Sequence, residues 1–103
     1  MYARVVSFSS ADAERRDRWI QTVRDTVVPT LSAKDGFAGY IALYDQENGR
    51  AKGIILWESQ ENAEAAEQQL TERRRQVIGE VGLTEESSEL YEAPVVELGA
   101  ARV

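Results

Sequence analysis

Residues 36–57 hold two runs of β-type composition joined by a turn, and this stretch constrains the fold more than any other. Phe37–Asp45 (FAGYIALYD) and residues 51–57 (AKGIILW) are rich in branched and aromatic residues, as strands are. The Asn48-Gly49 pair between them is a strong hairpin signal, because a two-residue type I′ turn needs positive φ at both central positions. The sequence therefore predicts an antiparallel hairpin.

A two-residue turn also predicts the register of this hairpin. Glu47 would face Arg50, and Asp45 would face Lys52, which gives two cross-strand pairs of opposite charge near the loop. The further pairs that this register predicts are Leu43 with Ile54, Ile41 with Leu56, and Tyr40 directly opposite Trp57.

The first strand and first helix are predicted from the N-terminal third of the chain. Tyr2–Ser9 (YARVVSFS) has strand composition, and from Asp12 apolar residues recur at the three- and four-residue spacing of a helix. Pro29 disfavours helical geometry at the residue before it. We expect this helix to end near Val28, with a further turn over residues 30–32.

The C-terminal half completes the pattern with a helix and a strand. Ser59 is a suitable N-cap for a helix that reaches about Gly79, and residues 87–99 alternate as a strand does. Pro94 confines that strand to a sheet edge or a bulge. The order βαββαβ predicts an α+β, ferredoxin-like fold: a four-stranded antiparallel sheet with both helices on one face.

Length and charge limit the classes of function. A chain of 103 residues forms one domain, which we assign to residues 1–98, with a frayed tail over residues 99–103. A net charge of −6 repels a nucleic-acid backbone. No segment approaches the roughly 20 apolar residues of a membrane span. We expect a cytoplasmic protein that binds neither nucleic acid nor membrane.

Two residue types are missing, and their absence excludes several kinds of site. The chain has no cysteine and no histidine. Disulfides, zinc-thiolate sites, Ser-His-Asp triads, imidazole bases and histidine ligands to haem are therefore unavailable from one subunit. Acidic residues recur every third position from Glu58 to Glu67, but without histidine this spacing favours an exposed helix face over a metal site.

The predicted hairpin has two apolar faces, although the helices cover only one. One face carries Ala38, Tyr40, Ala42, Tyr44, Ile55 and Trp57. The other carries Phe37, Ile41, Leu43, Ile54 and Leu56. Exposing the second set would leave a larger apolar patch than a monomer normally shows, and a second copy on a two-fold axis is the simplest cover. We predict a homodimer through Ile41, Leu43, Ile54 and Leu56.

The segment GFAGYIALYDQENGRAKGIILWES resembles the antibiotic biosynthesis monooxygenase-like domain of the dimeric α+β barrel proteins. The shared features are a Gly-Phe-x-Gly-Tyr strand start, an Asp-x-x-x-Gly hairpin and a Trp-Glu-Ser strand end. The resemblance implies a homodimer with its ligand on the tryptophan side of the sheet. In one branch of that family, phenols or quinols are oxygenated without a cofactor, because the substrate itself supplies electrons to dioxygen.

The haem-degrading branch of that family fits this chain poorly. There, a tryptophan at the position of Trp57 presses on the porphyrin, a histidine ten residues on ligates iron, and an asparagine lies on the first strand. In this chain the histidine position falls on Glu67, and the first strand offers Ser7 and Ser9. The resemblance therefore implies neither haem nor any other cofactor or metal.

Trp57 has two interpretations. It is either a core residue paired with Tyr40, or one wall of an apolar pocket that Ala42 and Gly53 leave open under the helices, suited to a small aromatic ligand. The candidate pocket residues are Trp57, Tyr40, Tyr44, Ser7, Ser9 and Arg24. The pattern leaves three functions open: a cofactor-free monooxygenase, a non-catalytic ligand-binding or stress-associated homodimer, and a regulatory ligand sensor.

Overall fold

A computed structural model describes residues 1–99, and it has the predicted α+β order. The elements are β1 (Tyr2–Ser9), α1 (Ala13–Thr22), a π-helical turn (Val23–Val27), α2 (Val28–Ser32), β2 (Phe37–Asp45), β3 (Arg50–Trp57), α3 (Gln60–Val81) and β4 (Thr84–Glu92). The strands form one antiparallel sheet in the order β2-β3-β1-β4, which is the ferredoxin-like arrangement. Residues 100–103, most of the predicted frayed tail, lie outside the described residues.

The first helical segment continues through Pro29 instead of leaving helical geometry at Val28. A π-helical turn precedes the proline, and in it the Val28 N–H donates to the Val23 carbonyl, five residues back. Such a turn inserts an extra residue into the helix, so the hydrogen-bonding pattern changes where proline has no N–H to donate. As a result α1, the π-helical turn and α2 form one helical layer that ends at Ser32.

The hairpin is present, but its predicted register is wrong by two residues. Asp45 pairs with Arg50, and the loop contains four residues, 46–49. Among the non-glycine residues described, only Ser10 has positive φ, so Asn48 does not adopt the type I′ geometry. The reason is a competing contact: the Asp45 carboxylate accepts hydrogen bonds from the Asn48 backbone N–H at 3.3 Å and its side-chain amide at 2.7 Å.

A shift of two residues keeps each side chain on its predicted face, except at the start of β2. A register irregularity between Phe37 and Gly39 places Phe37 opposite Trp57, and Tyr40 pairs with Ile55. Phe37 therefore packs on the helix-facing side, edge-on to Trp57 with 6.0 Å between ring centroids. The predicted Tyr40–Trp57 pair and the outward position of Phe37 are both wrong, because a bulge reverses the alternation locally.

The second helix and the last strand follow the prediction with changed ends. The Ser59 hydroxyl accepts the Asn62 N–H at 3.1 Å and caps α3, as predicted. The helix runs beyond Gly79 to Val81, where Gly82 ends it with a φ of 86°. The last strand begins at Thr84 and ends at Glu92, two residues before Pro94.

The core lies between the sheet and the helical layer. It consists of two clusters of buried side chains, one around Trp19 and the other around Trp57, with 2% and 1% of these residues exposed. The other sheet face, called the outer face here, carries Ile41, Leu43, Ile54, Leu56 and Tyr91. None of the helices within residues 1–99 combines the length and apolarity that a bilayer crossing demands.

Candidate functional site

A cavity of about 80 Å³ lies between the sheet and the helices. Its sheet side includes Val6, Phe8, Tyr40, Gly53, Ile55 and Trp57. Its helix side includes Trp19, Val23, Val27 and Leu31 from the first helical segment, and Ala63, Ala66, Leu70, Val77 and Ile78 from α3. The cavity therefore has mainly apolar walls, and both tryptophans of the chain contribute to them.

Small residues determine the shape of this cavity. Ala63 and Ala66 are buried on the sheet-facing side of α3, where larger side chains would fill the space. On the sheet, a Cβ added to Gly53 would stand 2.4 Å from the Tyr40 hydroxyl oxygen. Gly53 thus makes room for the Tyr40 side chain, whereas Ala42, which we expected to help open the pocket, is exposed and does not line it.

Tyr40 is the polar aromatic residue of the sheet side. Burial raises the pKa of its phenol to about 12, because the ionised form would lose its hydration. Tyr40 is consequently neutral at neutral pH and can donate a hydrogen bond to a ligand in the cavity. At neutral pH it cannot act as a general base.

Charged side chains close one side of the cavity. Arg74 on α3 donates to both Glu67 oxygens at 2.7 and 2.8 Å, and its Nε donates to Glu85 of β4 at 2.7 Å. Arg4 of β1 lies 3.6 Å from Glu67 through its Nε. The hydrogen bond from Arg74, with the positive charges of Arg74 and Arg4, holds the pKa of Glu67 below its usual range. Glu67 is therefore an ion-paired carboxylate.

Three threonines add hydroxyl groups to the helix side. Thr22, Thr26 and Thr30 all line the cavity, and their spacing of four residues places them on one side of the helical segment. They were missed in the sequence, as was Arg4. The available signals were this spacing and the position of Arg4 on the same strand face as the buried Val6 and Phe8.

The structure brings together only two of the predicted pocket residues. Trp57 and Tyr40 line the cavity. Tyr44 packs against the Trp19 cluster but does not line the cavity. Trp19 of α1 is part of the core and also faces the cavity. The aromatic component of the site is thus Phe8, Trp19, Tyr40 and Trp57.

The three predicted polar residues lie elsewhere. Ser7 and Ser9 alternate with Val6 and Phe8 along β1, so their side chains point to the outer face; Ser7 accepts a hydrogen bond from Lys52 at 2.9 Å, and Ser9 bonds to Glu86. Arg24 is exposed on the π-helical turn and borders a separate surface depression. Their assignment to the pocket is wrong.

No cluster of three or more potential metal-ligating carboxylates occurs within residues 1–99. Of the acidic residues from Glu58 to Glu67, Glu58 precedes α3 and the others lie on it, and Glu58, Glu61 and Glu64 are exposed. Only Glu67 of this series reaches the cavity, and its oxygens are bonded to Arg74.

No protein-family model matches the chain, and no curated protein sequence does. Solved structures share its fold. A protein from Deinococcus radiodurans, provisionally assigned as an antibiotic biosynthesis monooxygenase, is 15% identical over 98% of this chain and 100% of its own, with a TM-score of 0.70. SnoaB, a cofactor-independent oxygenase from Streptomyces nogalater, is 17% identical over 92% of this chain and 94% of its own, with a TM-score of 0.65.

A third similar structure is a dimeric ferredoxin-like protein from an uncultured marine organism. It is 8% identical over 95% of this chain and 98% of its own, with a TM-score of 0.67. At these identities the comparisons establish the fold: the chain has the antibiotic biosynthesis monooxygenase-like, ferredoxin-type architecture that the sequence resemblance implied.

The contact between Gly53 and Tyr40 gives the first testable prediction. Gly53→Ala should lower the free energy of unfolding by about 1–3 kcal/mol, because the new methyl group displaces the Tyr40 ring from a packed position. Gly39→Ala is the matched control, since its Cβ would meet Leu56 at an ordinary 3.4 Å. Urea denaturation measures both variants. A Gly53→Ala protein as stable as Gly39→Ala would contradict the packing described here.

Proposed function

We propose that the chain is a cofactor-independent monooxygenase that binds a small phenol or quinol in the cavity between its sheet and helices. The observation that carries this proposal is the cavity itself, with apolar walls, two indoles and a neutral tyrosine phenol. Apolar enclosure with a few directed polar groups is the usual character of a small-molecule site. The shared fold with a cofactor-independent oxygenase supports the same assignment.

In this proposal the protein binds and orients the substrate, and the substrate supplies the electrons. A phenol and one O₂ give a quinone and one water: one oxygen atom is inserted at a ring carbon, the other leaves as water, and all four electrons come from the phenol. Trp19 and Trp57 would hold the ring, and Tyr40 would donate a hydrogen bond to a ring oxygen. Burial between the two layers would exclude water from the reacting ring.

One observation favours the alternative of a non-catalytic, ligand-binding homodimer. The cavity volume of about 80 Å³ is well below the roughly 300–1,000 Å³ of pockets for drug-sized ligands. The chain's own side chains already occupy much of the space between the layers. A substrate larger than one or two rings would require α3 and the first helical segment to move apart.

Binding and turnover are tested with a simple quinol and no added cofactor. Indole fluorescence should quench saturably, and Trp57→Phe and Trp19→Phe should each remove part of the quenching, because both indoles line the cavity. An oxygen electrode should record one O₂ consumed per quinol converted, because one oxygen atom enters the ring to give a hydroxyquinone and the other leaves as water. Saturable quenching without oxygen uptake would favour the non-catalytic alternative, and quenching that both variants leave unchanged would contradict the site.

We also propose that the outer face forms a two-fold homodimer interface. On the outer face, Ile41 and Leu43 of β2 are 37% and 44% exposed, and Tyr91 of β4, at the other edge of the sheet, is 51% exposed. Ile54, which pairs with Ile41, is half-buried between these edges. Leu56 is only 5% exposed and packs over Gly39, so it supports this surface from beneath instead of projecting from it. The dimeric state of a protein of the same fold supports this assignment.

Light scattering over a dilution series tests the dimer. The wild-type protein should have twice the chain mass at micromolar concentration, and Ile54→Asp should give single chains or aggregates, because an unpaired carboxylate between two sheets is strongly unfavourable. Ala65→Asp, which places the same charge on the exposed side of α3, should leave the mass unchanged. A folded wild-type monomer at micromolar concentration would overturn the proposal.

A further inference from the structure

Arg4 is a buried cation at the cavity wall, and the protein leaves one of its nitrogens without a hydrogen-bond acceptor. It lies on the helix-facing side of β1, as Val6 and Phe8 do, and its side chain is only 12% exposed. Its Nε is buried and has no hydrogen-bond acceptor among the described residues. Buried polar atoms in native proteins almost always have partners, so an unpartnered guanidinium nitrogen at a cavity wall calls for an explanation.

The nearest anion does not supply the missing partner. Both oxygens of Glu67 already accept short hydrogen bonds from Arg74, at 2.7 and 2.8 Å. Arg4 Nε remains 3.6 Å from the same carboxylate, too far for a hydrogen bond. Glu67 therefore lowers the electrostatic cost of burying Arg4 without using its donors.

The register places Arg4 and Tyr40 on opposite sides of one residue. Ile55 of β3 pairs with Arg4 of β1 on one side and with Tyr40 of β2 on the other. Strand spacing puts the Arg4 and Tyr40 backbones about 10 Å apart. All three residues line the cavity, so an aromatic ring lying over Ile55 would have a cation towards one end and a neutral phenol towards the other.

We propose that Arg4 binds the ionised oxygen of the ligand, so that the cavity selects an aromatic anion, a phenolate in particular. This inference rests on the proposed function and specifies its substrate as the ionised form. An ionised phenol gives up an electron to dioxygen more readily than the neutral phenol does. By holding the anion, Arg4 would favour the reactive form at neutral pH.

The other charged groups around the cavity do not replace Arg4. On α3, Glu67 and Arg74 are bonded to each other, Arg74 is also bonded to Glu85 of β4, and Arg73 is exposed. The first helical segment contributes only uncharged residues to the cavity lining, and Tyr40 is neutral. Arg4 is therefore the cation best placed to meet a buried anionic oxygen.

The test compares para-nitrophenol with para-nitroanisole, its neutral methyl ether. The visible absorbance of para-nitrophenol reports its ionisation directly. In the wild-type protein the pKa of the bound phenol should fall by about one unit or more beside Arg4, and the phenolate should bind at least about ten-fold more tightly than the ether. Arg4→Met should abolish this preference while para-nitroanisole still binds.

Two further variants separate an anion-binding role from a structural one. Arg4→Lys keeps the charge and should restore part of the phenolate preference, even if Arg4→Met proves unfolded by circular dichroism. Arg73→Met removes an exposed charge from the cavity margin and should retain the full preference. Equal binding of both probes by the wild-type protein, or an undiminished preference in folded Arg4→Met, would overturn the inference about Arg4 alone.

The outcomes also separate this inference from the proposed function. If the wild-type protein binds neither probe, the aromatic site and the role of Arg4 are both contradicted. If the phenolate preference depends on Arg4 but quinols consume no oxygen, the anion site stands and the monooxygenase assignment is wrong.

Discussion

Side-chain alternation across the sheet decides where each functional feature of this chain can lie. The helices cover one face only, so each strand position belongs either to the enclosed layer or to the outer face. Along β1 this places Arg4, Val6 and Phe8 under the helices and turns Ser7 outward. The position of a polar residue within this alternation, more than its chemical type, determines whether it can reach a ligand.

The enclosed layer is held by apolar packing and by one group of ion pairs. Among residues 1–99, Trp19 and Trp57 are the largest fully buried side chains, and each belongs to one of the two core clusters. Arg74 connects α3 to β4 through Glu85, and it also holds Glu67 towards the cavity. Because these pairs are largely sheltered from solvent, they are screened less by salt than surface pairs are. The same residues that fasten α3 to the sheet therefore set the charge of the cavity wall.

The sequence predicted the architecture well because periodicity and capping are local properties. The hairpin, the Ser59 cap and the helix-facing position of Trp57 all follow from residues close together in the chain. The register was wrong because the Asp45 side chain competes for Asn48, which turn statistics for the Asn-Gly pair do not include. Phe37 was misplaced because a bulge leaves no clear mark in composition.

The site was predicted less completely than the fold. Tyr40 and Trp57 could be identified because an aromatic side chain at a helix-facing strand position packs between the sheet and the helices. Arg4 was overlooked even though alternation places it beside them, and its relation to Glu67 depends on residues 63 positions apart in the chain. Arg24 was misassigned because helical periodicity alone does not show which side of a π-helical turn faces the sheet.

The central claim is that the ligand binds between the sheet and the helices. The chain has two tryptophans, and both line that cavity, so an NMR titration of their indole N–H signals with a phenol tests the claim directly. The account predicts that both signals shift and saturate with one common dissociation constant. Binding that leaves both indole signals in place, while amide signals of the outer face around Ile41 and Leu43 shift, would contradict it.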